Sequence, residues 1–192
     1  LDRRKNVAYR QNELKLLVNG SLSYKLNDNF TLSNQSGLDY QNINQPQWYT
    51  PFSFHERISA PADQEYVGYY SEVDSRRFVF TSTTSLKYNE TFNEKHTVNA
   101  GVYLEYLKGH LSSSSFNKSG FDPIFWSPGA GTGWIADTDT DDYYAAVAGK
   151  SKATSGLFSY FGTASYDYDK RYGADVTIRR DASFRFTKDN QW

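Results

Sequence analysis

Hydrophobic and polar residues alternate along several stretches of this chain. In the first stretch, residues 14–26, one set of alternate positions is apolar: Leu14, Leu16, Val18, Leu22, Tyr24 and Leu26. The positions between them are polar, apart from Leu17. Alternation with a period of two predicts a β-strand that has one apolar and one polar face.

Five further segments repeat this pattern, at residues 30–41, 77–88, 96–107, 156–168 and 172–181. The second of the six strands is weak in its middle, because Asn34 and Ser36 fall on its apolar face. Compact connections at 27–29, 89–95 and 169–171 join the strands in pairs, and long stretches at about 42–75 and 108–155 separate the pairs. Short turns at one end and long loops at the other are typical of an outer-membrane β-barrel.

Strand length and aromatic placement favour a membrane barrel over a soluble β-sandwich. The segments are about 10 to 13 residues long, whereas soluble strands average about 5 to 6 and a tilted membrane strand needs about 9 to 11. Aromatic residues flank the short turns: Tyr24, Phe30, Tyr88, Phe92, Tyr166, Tyr168 and Tyr172. We interpret them as a girdle at one membrane interface. The alternative is that they cap the edge of a sandwich core.

The composition excludes several classes of protein. Aromatic residues make up 17% of the 192 residues, but the mean hydropathy is -0.73, and no apolar run approaches the length of a membrane-spanning helix. A net charge of -1 gives no reason to expect nucleic acid as a partner. Cysteine is absent, so neither a disulfide framework nor a thiolate metal site is possible.

The second half of the chain resembles one known family. The motif residues are 157–162, Tyr166-Asp167-Tyr168, Tyr172, Arg179-Arg180-Asp181, Ser183, Arg185-Phe186, Asn190 and Trp192, with 94–101 and Glu105-Tyr106 upstream. This series is similar to the barrel of SusC/RagA-like TonB-linked outer-membrane transporters. Ala182 departs from the family pattern, which usually has a glycine there.

The resemblance implies a 22-stranded barrel with an N-terminal plug, in the outer membrane of a Gram-negative bacterium. It also implies import of oligosaccharides or peptides, a SusD-like surface lipoprotein as partner, and energy supplied through TonB. The plug and the TonB-contacting segment are not recognisable in residues 1–192, and the chain starts without an initiator methionine. Six strands would leave two open edges, which lipid does not tolerate. We therefore expect an all-β, antiparallel fragment, about a quarter of a barrel wall.

Enzyme chemistry finds little support in the sequence. His55, His96 and His110 lie far apart and show no metal-ligand spacing. The glycine-rich stretch 129–133 lacks the spacing of a dinucleotide-binding loop. We expect no catalytic residues and no cofactor.

An acidic stretch contains Asp137, Asp139, Asp141 and Asp142 and suggests calcium binding. It fails the EF-hand pattern, because Asp142 occupies the position that requires the tight-turn glycine. A solvated acidic loop is the favoured interpretation, with no metal site, although an irregular calcium site stays open.

Aromatic residues in the long stretches are the candidate ligand contacts. We predict that Trp48, Tyr49, Trp126 and Trp134 bind ligand, since flat rings stack on sugars at the mouth of a glycan importer. The alternative is that these rings form the packed core of the loops or contact a partner protein. The rival to the transporter as a whole is a soluble β-sandwich that binds carbohydrate through its loops.

The strand pattern also predicts which side chains face lipid. These are Leu16, Val18, Leu22, Phe80, Val102, Leu104, Ala164, Val176 and Ile178. The residues expected to face the lumen are Ser21, Thr83, Asn99, Thr163 and Thr177.

Overall fold

The computed structural model describes residues 2–60, 65–128, 133–135, 144 and 146–184. In chain order the elements are α1 (Asp2–Asn6), β1 (Val7–Tyr9), β2 (Asn12–Lys25), β3 (Phe30–Tyr49), α2 (Phe54–Ser59), β4 (Tyr69–Phe92), β5 (His96–Ser119), β6 (Val147–Tyr168) and β7 (Tyr172–Ser183). The predicted all-β class is confirmed. None of the helices in the described residues is long and apolar enough to cross a membrane.

All six predicted strands are present, and their ends at the short turns agree with prediction to within one residue, except that β4 continues to Phe92 and not to the predicted Tyr88. Their other ends lie further out than predicted: β3 continues to Tyr49, β4 begins at Tyr69, β5 continues to Ser119 and β6 begins at Val147. The long connections are therefore 50–68 and 120–146, shorter than 42–75 and 108–155. The short elements α1, β1 and α2 were not predicted.

The strands form one antiparallel sheet in the order β1-β3-β4-β5-β6-β7, and β2 also pairs with β3. β6 and β7 pair without interruption from Leu157↔Ser183 to Tyr168↔Tyr172. β1 pairs with the end of β3, from Val7↔Tyr49 to Tyr9↔Gln47. Within the described residues the sheet does not close on itself, as expected of a piece of barrel wall.

Local turn chemistry explains the compact connections. Asn93 and Glu94 have φ values of 50° and 58°, and Asp169 and Lys170 have φ values of 50° and 55°. Two consecutive residues with positive φ are characteristic of the type I′ turn, whose twist matches that of a β-hairpin. In the first connection the Asn27 side-chain oxygen instead accepts hydrogen bonds from the backbone N–H groups at positions 29 and 30, at 3.0 and 2.8 Å.

The chain divides into two compact units. Unit 1 comprises Leu1–Leu14, Gln41–Arg76 and Leu111–Lys152, and unit 2 comprises Lys15–Tyr40, Arg77–His110 and Ala153–Trp192. Unit 2 contains the three short turns. Unit 1 contains both long connections and all four predicted ligand contacts.

The apolar face of unit 2 is exposed. Leu22, Val102 and Ile178 are 74%, 59% and 75% exposed, and the buried hydrophobic residues in the described part of the chain are only Tyr70, Phe121 and Ala182. A β-sandwich would cover these side chains with a second sheet. No such sheet exists among the described residues, which contradicts the sandwich alternative and agrees with strands that face lipid.

Candidate ligand-binding site

Trp48 and Tyr49 lie on opposite faces of the sheet, because they are consecutive residues of β3. The four predicted ligand contacts therefore do not form one site. On the Trp48 side, the Arg10 guanidinium lies 4.8 Å from the centre of the indole ring. A cleft here is lined by Arg10, Asn12, Asn44, Trp48, Tyr70 and Glu72.

Hydrogen bonds order the polar wall of this cleft. The Glu72 carboxylate accepts from the Tyr70 hydroxyl at 2.7 Å and from the Asn44 amide at 2.6 Å. The Asn12 amide donates to the Asn44 side-chain oxygen at 3.5 Å. The carboxylate is thus held by neutral donors, and the cleft combines one cation, one anion and an indole ring.

Tyr49 is the centre of a different group of rings. Its ring centroid lies 6.0 Å from that of Tyr9, 5.5 Å from that of His55 and 6.4 Å from that of Tyr69. The Tyr9 and Tyr49 hydroxyls are hydrogen-bonded to each other. We call Tyr9, Tyr49, Tyr69 and His55 the tyrosine cluster. Sequence analysis identified only Tyr49 among its members.

A buried hydrogen-bond framework positions the tyrosine cluster. Thr50, next to Tyr49, is 2% exposed, and its N–H and hydroxyl donate to the backbone and side-chain oxygens of Asn6 at 2.8 and 2.9 Å. The Asn6 amide donates to Asp2 at 2.7 Å, and Asp2 accepts from the Phe54 N–H at 3.2 Å. Because Phe54 begins α2, this framework connects α1, the end of β3 and the helix that carries His55.

Trp126 and Trp134 pack around Phe121, which is 0% exposed. The Trp134 ring stacks on Phe121 at 4.0 Å and meets the Tyr70 ring edge-on at 6.1 Å. Trp126 lies 5.9 Å from Phe121. This packing is what the alternative interpretation, a packed loop core, requires. A ligand-binding role for the two tryptophans stays a prediction.

Glycine at position 68 makes room for that core. Gly68 has a φ of 108°, and a Cβ atom there would lie 2.4 Å from the Phe121 ring. The backbone oxygens of Val67 and Gly68 accept hydrogen bonds from Phe121 and Gly120, both at 3.1 Å. Any side chain at position 68 would therefore displace Phe121 from its buried position.

The three histidines occupy separate environments. His55 lies 3.7 Å from Glu56, His96 shares a 2.8 Å hydrogen bond with Tyr166, and His110 lies against the Phe78 ring. No group of three or more potential metal ligands occurs in the described part of the chain. Asp137, Asp139, Asp141 and Asp142 lie outside the described residues, as does 129–132 of the glycine-rich stretch.

The carboxyl group of Glu56, next to His55, has a raised pKa. Desolvation by burial raises the pKa of its carboxyl group and outweighs the lowering effects of His55 and of the backbone at Gly68. The Glu56 carboxylate lies 3.7 Å from the His55 ring, and α2 also carries Arg57, so the helix presents opposite charges beside the tyrosine cluster.

Unit 2 contains an ordered group of side chains that sequence analysis missed. The Arg179 guanidinium pairs with Glu105 at 2.6 Å and with Asp181 at 2.8 Å, and lies 4.9 Å from the centre of the Phe161 ring. The Tyr103 ring stacks on Phe161 at 4.5 Å, with 4° between the ring planes. This group connects three neighbouring strands, β5, β6 and β7. The Arg-Arg-Asp motif identifies Arg179 and Asp181 in the sequence. Only the strand register shows that Glu105 lies next to Arg179.

Comparison with known proteins gives partial matches to much longer chains. No family model matches. The TonB-dependent receptor P39 of Formosa agariphila is 25% identical over 176 residues, which cover 89% of this chain and 15% of the receptor. The TonB-dependent receptor SusC of Bacteroides thetaiotaomicron is 33% identical over 116 residues, which cover 57% of this chain and 10% of SusC.

Solved structures agree on the fold. The RagAB peptide transporter superposes with a TM-score of 0.81 at 21% identity, over 98% of this chain and 19% of that chain. The chain is similar to a segment of the barrel of SusC/RagA-like TonB-dependent receptors. The open state of the RagAB peptide importer gives a TM-score of 0.80 at 22% identity over 98% of this chain.

The SusC/RagA-like motif residues that the structure describes lie on β5, β6 and β7 and in the turn before β5. Phe161, Arg179 and Asp181 belong to the ordered group described above, and Ala182 is buried. Arg185, Phe186, Asn190 and Trp192 lie outside the described residues. The relatives carry the names of receptors and transporters, and none carries the name of an enzyme.

Proposed function

We propose that this chain is part of the wall of an outer-membrane TonB-dependent transporter that imports oligosaccharides or peptides without chemical change. The observation that supports it is the exposed apolar face of long antiparallel strands in a SusC/RagA-like fold. The opposite face of unit 2 is hydrated in character and includes Asn99, Thr163 and Thr177. Such a surface suits a polar conduit, and it offers no acid and base paired for catalysis.

The proposed orientation follows from connection length. The short turns face the periplasm. The long stretches at 42–75 and 108–155 lie on the extracellular side, together with the ends of β3, β4, β5 and β6 that they contain. A SusD-like surface lipoprotein binds at that side. Contact with TonB is made by parts of the transporter other than residues 1–192.

Specificity is proposed to lie in the aromatic residues of unit 1, through contact with either the ligand or the lipoprotein. Substitution of Trp48, Tyr49, Trp126 and Trp134 by alanine in the intact transporter should reduce ligand uptake and leave the barrel folded. The measurement is uptake of labelled oligosaccharide or peptide by cells, with heat-modifiable electrophoretic mobility as the test of folding.

The double variant Trp126→Ala/Trp134→Ala separates ligand contact from loop packing, because both rings pack on Phe121. Tyr24→Ala is the control, since Tyr24 is an aromatic residue of unit 2 that is 65% exposed. Unchanged uptake and unchanged lipoprotein binding in the quadruple variant would leave these rings with a packing role only.

A further inference from the structure

We infer that the tyrosine cluster is a subsite for one ring of a neutral oligosaccharide, an inference that rests on the proposed function. Its members come from four separate segments: Tyr9 from β1, Tyr49 from β3, His55 from α2 and Tyr69 from β4. All three partner rings lie within 6.4 Å of the Tyr49 ring, centroid to centroid.

The tyrosine cluster has exposed rings that rest on buried, hydrogen-bonded residues. Tyr9 is 64% exposed and the His55 side chain is 61% exposed. Beneath them, Thr50 and Ser53 are 2% and 0% exposed, and the Ser53 N–H donates to the Thr50 oxygen at 3.0 Å. Rings that are already fixed in place lose little freedom when a ligand binds, so less of the contact energy is lost to ordering.

The polar groups around the rings can form hydrogen bonds with a ligand that carries hydroxyl groups. Each tyrosine offers an apolar face and a hydroxyl tip, which suits a sugar ring with C–H faces and hydroxyl edges. The Tyr69 hydroxyl donates to the Asn117 side-chain oxygen at 3.3 Å, so an amide also lies at the cluster.

The charge of the cluster favours a neutral ligand. The adjacent helix α2 contributes one acidic and one basic residue, Glu56 and Arg57, and the His55 ring lies 3.7 Å from the Glu56 carboxylate. An anionic ligand would require an excess of cations, and the described residues of the cluster and of α2 show no such excess. A neutral saccharide satisfies both the hydrogen-bonding groups and the charge.

The two faces of β3 differ in a way that assigns the ligand to the Tyr49 side. One face of a barrel wall meets the passing solute and the other does not. The Arg10 guanidinium lies 4.8 Å from the centre of the Trp48 ring, so a sugar that stacks on that side of the ring would have to displace it. The Trp48 side is then the face that contacts the lipoprotein or another part of the surroundings, and not the ligand.

Binding of neutral hexasaccharides to the purified intact protein tests the subsite. The probes are maltohexaose, cellohexaose and xylohexaose, with an octapeptide of alanine, glycine and serine as the competing ligand class, all measured by calorimetry. At least one sugar should bind. Tyr9→Ala and Tyr69→Ala should each weaken that binding by roughly 3- to 10-fold, the effect of losing one stacking ring.

Two matched variants control the measurement. Tyr9→Phe keeps the ring and should lose less affinity than Tyr9→Ala. Phe116→Ala removes another aromatic ring of unit 1, 40% exposed on β5 and outside the cluster, and should bind like wild type. Heat-modifiable mobility confirms folding, and His55→Ala replaces any variant that does not fold.

The outcomes separate the subsite from the proposed function. Equal affinity in wild type and cluster variants, or binding of the octapeptide alone, overturns the subsite. Uptake of the same probes by cells decides the function independently. If cells take up a sugar that the cluster variants still bind normally, the proposed transport function is supported and the subsite is not. If cells take up none of the probes, the proposed transport function is contradicted.

Discussion

Val102→Arg is the sharpest test of which face of the sheet meets lipid. Val102 lies on β5 with 59% of its surface exposed, among the apolar side chains of Ala100, Ala164, Val176 and Ile178. Because the side chain is already more than half exposed, the substitution leaves no large cavity and forces little repacking. The cost arises almost entirely from placing a guanidinium in hydrocarbon, about 2 to 4 kcal/mol near the bilayer midplane.

Asn99→Arg is the matched control on the same strand. Asn99 lies three residues away and points to the opposite face, where its amide donates to the Ser165 hydroxyl at 3.1 Å. Losing that hydrogen bond should cost about 0.5 to 1.5 kcal/mol, and the introduced charge remains in water. The expected gap between the two variants is about 0.5 to 3.5 kcal/mol.

Urea unfolding from phospholipid vesicles measures both free energies of unfolding, with tryptophan fluorescence as the signal. The Val102→Arg cost should also shrink in a bilayer thin enough to bring residue 102 near the headgroups. Equal costs for the two variants would refute the assignment of faces. A larger cost for Asn99→Arg would reverse it.

Two further predictions concern topology and the Arg179 group. On intact cells, a membrane-impermeant thiol reagent should label Ile124→Cys, at a residue that is 80% exposed in the second long connection, and should not label Lys170→Cys; the opposite pattern would invert the proposed orientation. Arg179→Met should lower the free energy of unfolding only slightly, because Arg179 and Glu105 are 38% and 34% exposed and solvent screens the pair. The cost should fall when Glu105→Gln is already present, and identical costs in both backgrounds would show that the pair is uncoupled.

The sequence predicts the strand ends at the short turns because two signals coincide there. Apolar alternation stops next to a residue that tolerates positive φ at Asp169. At the middle turn it stops at position 88, and there β4 continues to Phe92, beside Asn93. The other ends carry no such signal. In 111–119 most positions on both faces are polar, and in 42–49 half of the positions on each face are polar. The alternation therefore disappears although the backbone pairing continues.

The tyrosine cluster was beyond prediction for a different reason. Tyr9 meets Tyr49 only because β1 pairs with the end of β3 in the register Tyr9↔Gln47. β1 has three residues, too few for a periodic pattern to be recognised. The sequence correctly indicated that aromatic residues concentrate in the long connections, but strand register determines which of them meet and on which face.

Asn34 and Ser36 show why the apolar face of unit 2 tolerates polar residues. They interrupt the alternation of β3, which made that strand look weak in the sequence. The Asn34 amide donates to the hydroxyls of Ser82 and Thr84 at 3.1 and 2.9 Å, and its side-chain oxygen accepts from Ser36 at 2.9 Å. In hydrocarbon a polar group is costly only when it lacks a partner. The four residues interrupt the apolar pattern together, on facing positions of β3 and β4, and therefore satisfy one another without water.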